Sequence, residues 1–79
     1  MSKLYGAVVR ADAGKESGKY YVILSAEDEY VYLSDGRRRK VGFPKKKKLK
    51  HLQRTNTVFE NVNENLANSD VRKLLANHN

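Results

Sequence analysis

A chain of 79 residues without cysteine has room for one modest core and nothing to staple it, which excludes a disulfide framework and a thiolate metal site and makes a single small domain the expectation. Sixteen Lys and Arg against nine Asp and Glu give a formal charge of +7, and ten of those bases fall in one acid-free window: Arg37, Arg38, Arg39, Lys40, Lys45, Lys46, Lys47, Lys48, Lys50 and Arg54. No apolar run of signal-peptide length and no stretch of the roughly 20 apolar residues that span a bilayer is present, so a cytoplasmic protein without membrane contact is expected.

In chain order, Leu4 to Arg10 places Leu4, Tyr5, Val8 and Val9 around Gly6 and Ala7 and reads as a first strand. Ala11 to Gly18, with Asp12, two glycines and Ser17, has the composition of a loop. Tyr20 to Leu24 is an unbroken run of strand formers, expected at the centre of a sheet with both faces largely buried. Ser25 to Glu29 is polar and turns the chain into a third strand, Tyr30 to Leu33. Asp35 and Gly36 form a hairpin signal, because a type I′ turn needs positive φ at both central positions. The chain is expected to reverse there into a fourth strand, Arg37 to Phe43, with Arg39, Val41 and Phe43 on one face and Arg38, Lys40 and Gly42 on the other. Pro44, which has no N–H to donate, marks the exit from that strand. Lys50 to Arg54 returns as a short closing strand anchored by Leu49 and Leu52.

Short strands at close spacing predict a small β-barrel of about five strands, since closure removes exposed edges. This unit takes residues 1–56, with the basic segment 37–54 inside it. Residues 57–79 form an extension in which Val71, Leu74 and Leu75 fall at i, i+3 and i+4, predicting a short C-terminal helix docked on the barrel. Asn68 or Ser69 is the expected cap, Asp70 suits the positive end of the helix dipole, and Arg72 and Lys73 face outward. The whole is one domain, expected to be a monomer.

Gly6, Val8, Val9, Gly14, Lys15, Gly18 and Lys19, followed by Tyr20, Tyr21, Val22 and Ile23, resemble the KOW motif. That motif pairs two strands around a loop, and Gly18 matches the glycine at entry to the second strand. Lys46 to Thr55 is similar to the basic segment of proteins related to eukaryotic-type large-subunit ribosomal protein fourteen, and the helix near Asp70 to Ala76 is similar as well. The resemblance implies an SH3-like barrel that binds RNA, usually ribosomal RNA. It also fits the short stand-alone KOW proteins of bacteria, the preferred assignment.

Independently of any family, a concentrated positive segment favours a polyanionic partner through counterion release. Lys45 to Lys48, Lys50 and Arg54 are read as sequence-blind phosphate contacts. Arg37, Arg38 and Arg39 are read as guanidinium groups able to hold phosphate bidentately or stack on an unpaired base. Lys40 belongs to the same patch, His51 lies inside it as a hydrogen-bond partner, and Arg10, Lys15 and Lys19 extend it around the loop. The simpler reading of such charges is a solvated surface. Val41, Phe43, Pro44, Leu49 and Leu52 interrupt the run as strand or anchor positions and argue for a folded element that holds it in register. Tyr20, Tyr21, Tyr30 and Tyr32 are read as barrel-wall residues with hydroxyls reaching water, not as base stackers.

An enzyme is not expected. No nucleophile–base pair, carboxylate dyad or metal-ligand cluster is apparent, and Glu27, Asp28 and Glu29 sit on a predicted turn. Gly14 to Lys19 lacks the full phosphate-loop spacing and a following helix, and His78 is terminal. No cofactor, metal or small-molecule substrate is expected. The expected function is non-catalytic RNA binding in translation or ribosome assembly, with the large ribosomal subunit as partner. The alternatives are an SH3-like module for an acidic protein partner and a nonspecific DNA binder.

Overall fold

In the computed structural model, which describes residues 5–12, 17–60 and 66–78, five strands form one antiparallel sheet. They are β1 Ala7–Ala11, β2 Tyr20–Glu27, β3 Tyr30–Ser34, β4 Lys45–Lys48 and β5 Leu52–Val58, in the spatial order β4-β3-β2-β1-β5. A 3-10 turn, Leu49–His51, links β4 to β5, and a helix, α1 Asn68–Leu74, follows. The architecture is mainly β with one short helix, as the strand spacing predicts. Among the described residues no ladder joins the two edge strands β4 and β5. Leu4, Gly14 and Lys15 lie outside the described residues.

The apolar run on β2 is explained by its position. Val22 stands opposite Val8 of β1 and Ser34 of β3, so β2 is paired on both sides. Tyr21 and Ile23 point into one core with Ala7, Val9, Ala11, Val31, Leu33 and Leu52, while Val8 and Val22 pack on the other face under Val71 and Leu75. A strand covered on both faces needs no polar alternation. Tyr21 is therefore only 1 % exposed, which corrects its reading as a wall residue with a wet hydroxyl; Tyr20, Tyr30 and Tyr32 are half-buried. Pairing of β2 with β3 slips between Ile23 and Ser25, so Leu24 is an extra residue on β2, a bulge that bends the strand.

Asp28 and Glu29 alone connect β2 to β3, and Asp28 takes the positive φ, 56°, that such a tight turn demands. Strand β2 runs on to Glu27, so the loop expected over Ser25 to Glu29 is shorter than its polar composition implies.

The fourth strand is not where its alternation placed it. Residues 35–44 form an irregular loop, and β4 is Lys45–Lys48. Side-chain capture of the backbone explains the difference. The Asp35 carboxylate accepts from the N–H groups of Arg37, at 2.8 Å, and Arg39, at 3.0 Å. The buried Ser34 hydroxyl donates to the Arg39 carbonyl at 2.6 Å and accepts from the Gly36 N–H at 3.1 Å. Groups that a ladder would require are thereby engaged locally. Gly36 alone takes positive φ, +75°, so Asp35-Gly36 opens this loop and does not form a type I′ hairpin. Pro44 precedes β4 instead of ending a strand, a position that a residue without an N–H tolerates. The closing strand begins later than expected, at Leu52, with Lys50 and His51 in the 3-10 turn. Leu52 is 8 % exposed and Leu49 packs against the same core, as anchors should.

Seven residues are too few for a helix to persist unaided, and α1 is held by the burial of Val71 and Leu75 against Val8 and Val22. Its N-cap is Ala67, not Asn68 or Ser69. The Asp70 carboxylate accepts from the Ala67 N–H at 2.9 Å, half of a capping box, while the Asn68 side-chain oxygen is directed across to the Val41 N–H at 2.7 Å.

Candidate functional site

The acid-free window occupies four consecutive surface elements: the β3–β4 loop, edge strand β4, the 3-10 turn and the start of β5. Arg37, Arg38, Lys40, Lys46, Lys50, His51 and Arg54 are exposed, and Arg39, Lys45, Lys47 and Lys48 are half-buried. The loop leaves the sheet at the Leu33 end of β4, and the 3-10 turn follows its Tyr30 end. A strand of four residues separates them by about 10 Å, so the bases from Arg37 to Lys48 follow edge strand β4 and Arg54 lies on β5, the other edge strand.

The lysine run is not a uniform comb. Lys46 and Lys48 stand opposite Tyr32 and Tyr30, whereas Lys45 and Lys47 stand opposite Leu33 and Val31 and share the face of the core. Opposed residues of an antiparallel pair lie on one face, so the run divides between two faces. Long aliphatic stems allow lysine on the inward face at a sheet edge, where it also deters pairing with a foreign strand. On the outer face the Lys46 ammonium lies 4.6 Å from the Tyr30 ring centroid and 6.0 Å from that of Tyr32. Lys48 lies 5.8 Å from the Tyr30 centroid and 3.7 Å from a Glu29 carboxylate oxygen. The Tyr32 hydroxyl donates to Glu27 at 3.3 Å. Lys46 and Lys48 thus already have intramolecular partners, and the acidic turn beside them dilutes their charge.

The loop is different. Arg37, Arg38 and Lys40 project from a backbone fixed by Ser34 and Asp35, by a bond of 2.7 Å from the Arg72 guanidinium to the Gly36 carbonyl, and by Asn68 on Val41. The Lys40 ammonium folds back on the Arg37 carbonyl at 3.1 Å. Phe43, read from sequence as a strand or anchor position, is 85 % exposed. Its neighbours Gly42 and Pro44 are strand breakers, and that flanking pair was the sequence signal for a loop-borne ring.

The remaining candidates are dispersed. Arg10 is exposed on β1 and lies 3.4 Å from Asp12, a pairing that reduces its value as an anion contact. Lys19 is exposed beside Tyr20, at the end of β2 from which the β3–β4 loop also departs, since Val22 faces Ser34. His51 reaches the same region, its carbonyl accepting from the Asp12 N–H at 3.4 Å. Gly6 and Gly18 serve the backbone: Gly6 bonds both Ile23 and Phe59, and Gly18, with φ +88°, donates to the Ala11 carbonyl at 2.8 Å. The His78 ring packs at a tilt against Tyr20, with centroids 5.2 Å apart and planes inclined by 52°.

A cavity of about 270 Å³ lies between the β3–β4 loop and the end of α1, lined by Asp35, Arg37, Arg72, Leu75 and Ala76. Its acid, Asp35, and one of its bases, Arg72, already hold the loop by the bonds described above. Among the described residues no group of three or more His, Asp or Glu is placed to hold a metal ion, and no helix is long and apolar enough to cross a membrane. No protein-family model matches the chain, and no curated protein matches it.

Proposed function

We propose that this protein is a non-catalytic RNA-binding module of the KOW type, built as an SH3-like barrel and acting on ribosomal or other structured RNA. The observation that carries the reading is the band of exposed bases on consecutive elements, uninterrupted by acid from Gly36 to Phe59. Such a band attracts a phosphate backbone by counterion release. A loop whose backbone is already held presents its guanidinium groups without a further backbone ordering cost.

Barrel-like closure is supported by the bulge on β2 and by the 3-10 turn. That turn is pinned to both ends of the sheet through Leu49 N–H on the Glu29 carbonyl at 2.9 Å and Asp12 N–H on the His51 carbonyl. RNA is preferred over DNA on the KOW resemblance, because charge alone does not separate them.

The test is binding of the purified protein to large ribosomal subunits across a salt series, with duplex RNA and duplex DNA as competitors. Binding that survives moderate salt and both competitors is expected. Equal, salt-labile binding to every polyanion reduces the protein to a generic basic module, and binding to none moves an acidic protein partner into first place.

A further inference from the structure

Phe43 is 85 % exposed, against 43 % for Tyr5 and 48 % for Val58, the other exposed large apolar residues among those described. An aromatic ring held in water contributes nothing to the core and forgoes the gain of burial. Its position is nevertheless fixed: its N–H donates to the Lys40 carbonyl at 2.9 Å, and Ser34, Asp35, Asn68 and Arg72 tie down the loop behind it. The sheet-borne rings are occupied by comparison. Tyr21 is buried, Tyr20 has His78 against it, and Lys46 covers Tyr30 and approaches Tyr32. Phe59 packs with the α1 cluster. Phe43 therefore combines an open aromatic ring with exposed cations on the same short loop, Arg37, Arg38 and Lys40.

Resting on the RNA-binding reading above, we infer that Phe43 stacks on an unpaired base of RNA while Arg37, Arg38 and Lys40 hold the neighbouring phosphates. A base inside an uninterrupted duplex has both faces covered by its neighbours, so a ring on a protein loop finds nothing to stack on. A hairpin loop, bulge or single strand presents a free face. The loop's role is thus selection of unpaired RNA, and edge strand β4 and the 3-10 turn supply charge that does not distinguish paired from unpaired segments.

The experiment compares an RNA hairpin carrying an unpaired loop with a blunt RNA duplex of equal length, titrated with the parent protein, Phe43→Ala and Phe43→Trp. Loss of one stacked base is expected to weaken hairpin binding of Phe43→Ala roughly 5- to 100-fold, with duplex binding, salt slope and thermal melt unchanged. Phe43→Trp restores hairpin affinity. Its indole is the sole tryptophan of the chain, and its emission is quenched by the hairpin and not by the duplex. A Phe43→Ala protein that binds the hairpin like the parent, or loses equally on both RNAs, overturns the stacking and leaves RNA binding standing. A parent protein that binds neither RNA removes both.

Discussion

The Arg72 guanidinium donates a hydrogen bond of 2.7 Å to the Gly36 carbonyl, fastening α1 to the loop that carries Arg37 to Lys40. The approach is close enough to dictate the residue at 36. Gly36 has φ +75°, and a Cβ there would overlap the Asn68 carbonyl and meet the Arg72 Cγ at 3.0 Å. Gly36→Ala is expected to cost at least about 2 kcal/mol, combining positive-φ strain with a collision against backbone that cannot swing aside. Arg72→Ala, whose exposed side chain shares its charge with water, costs about 1 kcal/mol. In a domain of this size that is a fall of roughly 4–8 °C in Tm. Gly36→Ala melting with the parent would mean that loop and helix are not in contact.

The helix depends on the sheet as much as the loop depends on the helix. Leu75 is 2 % exposed and packs with Val8, Val22 and Val71. Leu75→Ala is expected to cost about 2–4 kcal/mol, and helix and sheet signals should melt together, because a helix of seven residues has no stability of its own. Two separate transitions in circular dichroism would show α1 to be dispensable.

Much of this was legible in the sequence, and the misses share one cause. The run Tyr20 to Leu24 announced a central strand, Val71 and Leu75 announced a docked helix, and Leu52 announced a closing strand, because burial imposes periodicity on apolar residues. The basic window was equally visible as exposed surface. What misled was polar chemistry. Ser34 and Asp35 hold the backbone of residues 36–39 by side-chain bonds that leave no periodic trace, so an alternating pattern over Arg37 to Phe43 looked like a strand. Four consecutive lysines carry no apolar alternation to mark a strand, yet their pairing with β3 makes them an edge strand with two faces. Asn68 resembled a helix cap until its partner, 27 residues away at Val41, was known.

Gly18 separates strain from crowding. It sits at φ +88°, and among the described residues beyond its chain neighbours no atom lies within 4 Å of where a Cβ would be, so the cost of Gly18→Val is expected from backbone conformation. About 1–2 kcal/mol is expected, with Gly18→Asn recovering part of it because asparagine tolerates the left-handed region. Equal stability of the Val and Asn variants in thermal melts would contradict a conformational origin.

The contacts already made by Lys46 and Lys48, set against the exposed cations of the β3–β4 loop, predict which lysines and arginines matter. Replacing Lys45 to Lys48 together with glutamine should weaken RNA binding and flatten its salt dependence while leaving the fold intact. The single change Lys48→Gln should do little, since its ammonium already lies 3.7 Å from Glu29 and 5.8 Å from the Tyr30 centroid. Arg37→Gln/Arg38→Gln/Lys40→Gln removes three exposed cations from a fixed loop. If each holds a phosphate, the logarithmic salt slope falls by roughly 2–3, at about 0.7–0.9 per contact. Measuring affinity at several salt concentrations separates the cases: a slope insensitive to the loop variant and sensitive to Lys48→Gln would place the phosphates on the tyrosine-bearing face of β3 and β4 instead.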